Sequence, residues 1–210
     1  MRGFRNRRAA GLELAEEVAR LELAYPVVLG LPRGGVVVAA PVADHLGADL
    51  DIVVARKLGV PFQPEFGFGA IAERGIQVID ENIVRAVGLN QAEIDRVVAR
   101  EGLELDRRAA AYRAGRPAVA LDGRPVVLVD DGVATGGTMR ASIESARRGG
   151  AALVVVAVPV GSGEALGSLA ADVVVCLLVP DSFQAVGLWY RDFTQASDED
   201  VVEALTAARR

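Results

Sequence analysis

The chain has 210 residues, of which 51% are hydrophobic and 24% charged, and its formal net charge is −5. That apolar content with so small a net charge excludes a disordered chain and is enough to bury one sizeable core. No apolar run reaches the length of a bilayer span, the single cysteine, Cys176, excludes an internal disulfide framework, and a mildly acidic chain has no overall attraction for nucleic acid.

In chain order, the basic start Met1-Arg2-Gly3-Phe4-Arg5 runs into a charged segment instead of an apolar signal core, which predicts a cytoplasmic location. Residues 7–22 place Ala10, Leu14, Val18 and Leu21 at helical spacing. A short apolar run from Pro26 to Pro32 predicts a buried strand that ends in a Pro-Arg-Gly-Gly turn. Residues 35–47 read as a helix with Pro41 as a kink, and His45 on it lies away from every motif. Asp51–Ala55 predicts a second strand leading straight into Arg56-Lys57. Residues 61–122 differ in character: prolines, glycines and an alternating stretch predict a hairpin with its tip at Glu73-Arg74-Gly75. Asn90 then caps a long charged helix to about Arg113. This block interrupts the strand–helix alternation and reads as an inserted lid within one domain spanning 1–210. On its helix, Arg107, Arg108 and Arg113 read as a solvated face in preference to lid cations.

Alternation resumes with strands at 126–130, 153–158 and 173–179 and helices at 137–148 and 163–171. Continuous Val/Leu strands separated by helices predict an α/β fold, with a doubly wound, mainly parallel central sheet covered on both faces. Cys176 falls inside the last strand and reads as a packed residue. A polar, aromatic tail, about 180–195, forms a small C-terminal hood, and a last helix starts at Ser197.

The most informative stretch is Val126-Val-Leu-Val-Asp130-Asp131-Gly132-Val133-Ala134-Thr135-Gly136-Gly137-Thr138. It is a strand, two carboxylates, a loop of small residues and a helix N-terminus. Such a loop aims backbone N–H groups and the positive end of a helix at one point, which suits a phosphate. A Walker loop is excluded because Thr138 stands where lysine is needed, and the G-x-G-x-x-G dinucleotide pattern is absent. Elsewhere, all but one of the 23 basic residues are arginine. The exception, Lys57, leaves two readings, a coding bias toward arginine or a position where a compact ammonium is wanted, since the two cations are not interchangeable.

Residues 126–138 resemble the signature of the type I phosphoribosyltransferases: apolar residues, two acids, a short loop, then Thr-Gly and a hydroxyl residue. Leu31-Pro32-Arg33-Gly34-Gly35 and Arg56-Lys57 sit where that family has its pyrophosphate loop and basic residues near the diphosphate. The resemblance implies phosphoribosyl transfer from phosphoribosyl pyrophosphate to a nitrogenous acceptor, a nucleobase-like one of nucleotide salvage, with Mg²⁺ as cofactor. The 5′-phosphate would rest on the loop Gly132, Val133, Ala134, Thr135, Gly136, Gly137 and Thr138. Asp130 and Asp131 would serve the ribose hydroxyls and the metal, directly or through water, while Arg33, Gly34, Gly35, Arg56 and Lys57 would cradle the diphosphate. Asp130, Asp131, Arg33 and Lys57 are the implied catalytic set, and Phe183, Trp189 and Tyr190 the rings available to an acceptor. Ala134 makes the loop most similar to the adenine type. The implied partners are small molecules, with a homodimer left open, no membrane, and nucleic acid disfavoured. The alternative function is a regulatory protein that senses phosphoribosyl pyrophosphate without catalysis.

Overall fold

The computed structural model describes residues 3–208. Helix α1 (Arg7–Ala19) is capped by the Asn6 side chain and precedes β1 (Val27–Gly30), α2 (Gly34–Leu46) and β2 (Asp49–Ile52). Strands β3 (Ala55–Val60), β4 (Gln63–Ala72) and β5 (Ile76–Ile79) follow, then α3 (Glu81–Val87) and α4 (Gln91–Arg113). The second half holds β6 (Pro125–Val129), α5 (Gly137–Arg148), β7 (Leu153–Val160), α6 (Gly163–Gly167) and β8 (Val173–Leu178). A 3-10 turn (Val186–Trp189) and α7 (Asp198–Ala207) complete it. No helix among the described residues is long and apolar enough to cross a membrane.

The main sheet has five strands in the order β2-β1-β6-β7-β8, every pairing parallel. Successive strand side chains point to opposite faces, and both faces are buried. Val127 and Val129 join Leu14, Val18, Val36 and Val42 on the side of α1 and α2. Val126 and Leu128 join Met139, Ile143 and Leu166 on the side of α5 and α6. The doubly wound α/β architecture predicted from the Val/Leu runs is therefore the one found. Because the strands are parallel, the loops after β1, β6 and β7 leave the same edge of the sheet, where open α/β sheets bind ligands.

Three expected boundaries are corrected. The second strand ends at Ile52, and Ala55–Val60 forms its own strand in a separate three-stranded antiparallel sheet, β3-β4-β5. The inserted region thus starts near residue 55 and is more than a hairpin. Its tip at Glu73-Arg74-Gly75 is as expected, with positive φ at Arg74 and Gly75. The helix expected over 163–171 is the short α6, and Cys176 is half-buried because β8 is an edge strand. Asn90 caps helix α4 as expected, and the structure adds a reciprocal bond from the Asn90 amide to Glu93 that completes a capping box. The last turn of α4 departs from the solvated face expected there: Arg113 is largely withdrawn from solvent, donating to Asp51, to Glu73 at 2.5 Å and to the Ile52 carbonyl at 2.9 Å. Arg107 and Arg108 do lie on the surface, each paired with Glu104.

Candidate active site

Strand β6 is buried from Val126 to Val129, so it delivers Asp130 and Asp131 rigidly to the edge of the sheet. The Asp131 amide donates to Oδ1 of Asp130 at 2.8 Å, which locks the two residues to each other. Burial and the charge of Asp131 push the Asp130 carboxyl well above the usual carboxylate range. Burial raises Asp131 too, against the pull of a guanidinium: Nε of Arg7 donates to its Oδ2 at 2.7 Å. Arg7 is itself only 9% exposed, donates through Nη1 to the Thr194 carbonyl at 2.7 Å, and lies 3.8 Å over the Phe193 ring. Sequence reasoning missed it, because an arginine in the first turn of an amphipathic helix looks like any solvated charge.

The loop after the acids divides into a packed half and an open half. Gly132 lies under Val186, where a Cβ would stand 2.6 Å from Val186 Cγ1. Val133 is 3% exposed, its amide donates to the Val160 carbonyl at 3.0 Å, and its carbonyl accepts from Ser162. Neither its side chain nor its N–H can serve a phosphate, which corrects its place in the expected cradle. From Ala134 to Thr138 the situation reverses: among the described residues no acceptor is found for these amides. Gly136 takes a left-handed conformation (φ +75) at the N-cap of α5, which turns the loop onto the helix terminus. Ala134 and Thr135 are exposed, and Arg140 braces the loop from behind, donating to the Thr135 carbonyl at 3.1 Å and to Ser168 at 3.2 Å. The open amides, the hydroxyls of Thr135 and Thr138 and the helix dipole together form an anion cradle.

Opposite, the loop after β1 enters α2 through Arg33, across a cis Pro32–Arg33 peptide. Its glycines are dictated by protein contacts. A Cβ on Gly34 would stand 2.0 Å from Oδ2 of Asp131 and 2.6 Å from Nε of Arg7. One on Gly35 would stand 2.7 Å from the Val129 carbonyl oxygen and 2.8 Å from Asp130 Cα. The loop therefore lies directly on the acidic pair. Arg33 is drawn toward Asp198 at the start of α7, 3.6 Å away, and Tyr112 donates to the same Asp198 oxygen at 2.8 Å.

The two remaining basic residues part company. Arg56 and Lys57 are neighbours on β3, so they face opposite sides of that sheet. Arg56 donates through Nε and Nη2 to Glu101 of α4, which ties the inserted sheet to its covering helix. This removes Arg56 from the expected diphosphate set. Lys57 is exposed, and its stem runs along Gly67, where a Cβ would meet its Cδ at 3.0 Å.

In the hood, the aromatic residues mostly turn inward. Tyr190 is 7% exposed, lies 5.5 Å from the Phe4 ring and 5.0 Å from Phe193, and donates its hydroxyl to the Asp131 carbonyl at 2.6 Å. It is a brace for the acidic pair and cannot stack on an acceptor, which corrects its expected role. Phe183 and Trp189 are half-buried against the same cluster, and the Trp189 indole N–H is buried without a partner among the described residues. Among the large hydrophobic residues described in the hood, Leu188 faces solvent, at 66% exposure. The N-terminal segment holds the hood in place: Phe4 donates to Trp189 and accepts from Arg191.

For a cation, Asp130 and Asp131 offer hard oxygen ligands of the kind Mg²⁺ prefers, but each already has one oxygen engaged. Among the described residues no cluster of three or more acidic, His or Cys side chains has metal-binding geometry. The pair fits a metal held mainly by substrate oxygens and water, not an all-protein cage. A groove of about 600 Å³ between α1, α2 and α7 is lined by Asp44, Asp192, Asp200 and Glu203 against Arg7 and Arg8, so carboxylates outnumber guanidiniums there and it is a poorer place for a polyanion than the cradle.

Comparison with known proteins bears on this constellation. The model of the phosphoribosyl transferase domain family matches residues 6–191. A provisionally named phosphoribosyl transferase from Mycobacterium tuberculosis strain H37Rv is 50% identical over 212 residues, an alignment covering 100% of this chain and 48% of that protein. The chain thus spans about half the length of the curated relatives it matches. Among solved structures, TT1426 from Thermus thermophilus is 50% identical with a TM-score of 0.84, covering 99% of both chains. A hypothetical protein from Neisseria gonorrhoeae solved with bound ppGpp shares the fold alone, at 15% identity and a TM-score of 0.53 over 97% of this chain and 93% of that one.

Proposed function

The chain belongs to the phosphoribosyl transferase domain family, and from that premise we propose that it moves the phosphoribosyl group of phosphoribosyl pyrophosphate to a nitrogenous, nucleobase-like acceptor, releasing pyrophosphate. The observation that carries the reading is the meeting of three elements at one sheet edge. These are the acidic pair after β6, the open amides of Ala134–Thr138, and the glycine loop after β1 resting on that pair. The cradle takes the 5′-phosphate, and the free carboxylate oxygens of Asp130 and Asp131 take the ribose hydroxyls.

In the reaction the bond from C1 of the ribose to the diphosphate oxygen breaks and a bond from C1 to the acceptor nitrogen forms. Positive charge grows on the sugar and negative charge on the leaving group. Preoriented charges are worth most where that charge develops. Asp130 and Asp131 face the sugar, while the backbone of Gly34-Gly35 and the cations of Arg33 and Lys57 face the diphosphate. Arg33 exchanges its long contact with Asp198 for the leaving group. Asp130 and Asp131 would hold Mg²⁺, directly or through water, and the ion would supply neutralising charge to the diphosphate. The hood, in which Phe183 and Trp189 are half-buried and Leu188 is exposed, receives the acceptor.

Calorimetry with phosphoribosyl pyrophosphate and Mg²⁺ tests the donor site, and a screen of nucleobases and small amines for pyrophosphate release tests transfer. Asp131→Asn is expected to fold and to weaken donor binding at least about twentyfold, a loss of about 1.8 kcal/mol. Absence of donor binding to the wild-type chain overturns the reading. Binding without release to any acceptor favours the regulatory alternative.

A further inference from the structure

We propose that Arg7 is a positioning residue for the donor site, one that fixes the Asp131 carboxylate and the diphosphate loop relative to each other. The inference rests on the phosphoribosyl transfer proposed above.

Burying a guanidinium is costly and is tolerated only when its donors and its flat faces are used. Arg7 uses them on two separate parts of the chain, Asp131 and the adjacent Phe193-Thr194. Nε binds Oδ2 of Asp131, Nη1 binds the Thr194 carbonyl, and the plane lies over the Phe193 ring. The bond to Asp131 selects one carboxylate oxygen and leaves Oδ1 without a partner among the described residues, presented to the ribose. Gly34 then packs on the ion pair itself, with space for no Cβ against either Asp131 Oδ2 or Arg7 Nε. The diphosphate loop therefore takes its height from Arg7 as much as from Asp131. Remove the guanidinium and the carboxylate loses its fixed rotamer while the loop loses the surface it rests on. The Tyr190 hydroxyl on the Asp131 carbonyl holds the backbone but not the carboxylate. Arg7 is the group that holds the side chain.

A staple serving stability alone has the same contacts but different linkage. The experiment is calorimetric titration of phosphoribosyl pyrophosphate with Mg²⁺ into the full chain, with thermal melting alongside, for wild type, Arg7→Met, Arg7→Lys, Asp131→Asn and each Arg7 variant combined with Asp131→Asn. Arg7→Met is expected to weaken donor binding by at least about tenfold in the wild-type background and by less than about twofold in the Asp131→Asn background, because residues acting through one another are not additive. Arg7→Lys keeps the charge but cannot reach Asp131 and Thr194 together, so it falls between, at about threefold to fivefold. That variant carries the test if Arg7→Met does not fold. Wild-type affinity in the Arg7 variants, or an equal loss in both Asp131 backgrounds, overturns the proposal and leaves Arg7 a staple. A wild-type chain that binds no donor overturns the functional reading and this inference with it.

Discussion

A methyl group on Gly34 would stand 2.0 Å from the Asp131 carboxylate, closer than any real Cβ contact. Glycine at this position answers to the folded protein before any ligand arrives. Gly34→Ala must therefore displace the loop or the acid, at a cost of about 1–3 kcal/mol, and abolish donor binding. Gly102 in α4 is the contrast, since a Cβ there meets nothing within 4 Å. Gly102→Ala is expected to stabilise the chain by up to about 1 kcal/mol with donor affinity unchanged, read by melting and calorimetry.

Arg56 and Lys57, adjacent in sequence, are expected to respond in opposite ways. Arg56→Met breaks the half-buried pair with Glu101 and should lower stability by about 1–3 kcal/mol while changing donor affinity less than about threefold. Lys57→Arg should leave stability alone and weaken donor binding by about tenfold, because a planar guanidinium does not replace a compact ammonium. Titrations of the two purified variants decide it. A Lys57→Arg variant with wild-type affinity would reduce the lone lysine to codon usage.

The Arg56–Glu101 link also predicts a pH dependence. Burial raises the Glu101 carboxyl, but its hydrogen bonds from Arg56 and Arg100 outweigh this, so it sits below the ordinary glutamate value. A carboxylate held low in the folded state contributes stability above the unfolded pKa of about 4.3, and that contribution is lost as pH falls through the lowered folded value. Glu101→Gln should therefore melt earlier than wild type at pH 7, and the two curves should converge as pH falls through the lowered folded value. Melting across pH 2–8 measures it.

Arg113 is expected to matter for stability and not for chemistry. It joins α4 to Asp51 on β2 and to Glu73 at the hairpin tip, and all three side chains are largely buried. Arg113→Met leaves two buried carboxylates uncompensated, a loss of about 3–5 kcal/mol. For a chain of this size that lowers the melting temperature by about 6–20 °C. A variant that melts with wild type would show the triad to be loosely solvated.

The parallel sheet, its strand–helix order and the acid–loop–helix segment were legible in the sequence because each is written in a local pattern. Continuous Val/Leu runs mark strands buried on both faces, and small residues after two acids mark a turn onto a helix N-terminus. The same locality explains what stayed hidden. Arg56 and Lys57 are neighbours in the chain, yet strand alternation sends one to Glu101 and leaves the other exposed. Val133 looks like any loop residue until its amide is seen on Val160. Tyr190 looks like a stacking ring until its hydroxyl is found on Asp131.

By itself, then, the sequence determined the fold class and the residue types of the proposed donor site. The tertiary structure alone decided which charges are available. Arg7 reaches Asp131 across 124 positions, and Arg56 reaches Glu101 across 45. Such pairings depend on how elements pack after chain closure, and no spacing rule encodes them, because Arg7 and Glu101, taken alone, each read as an ordinary surface charge.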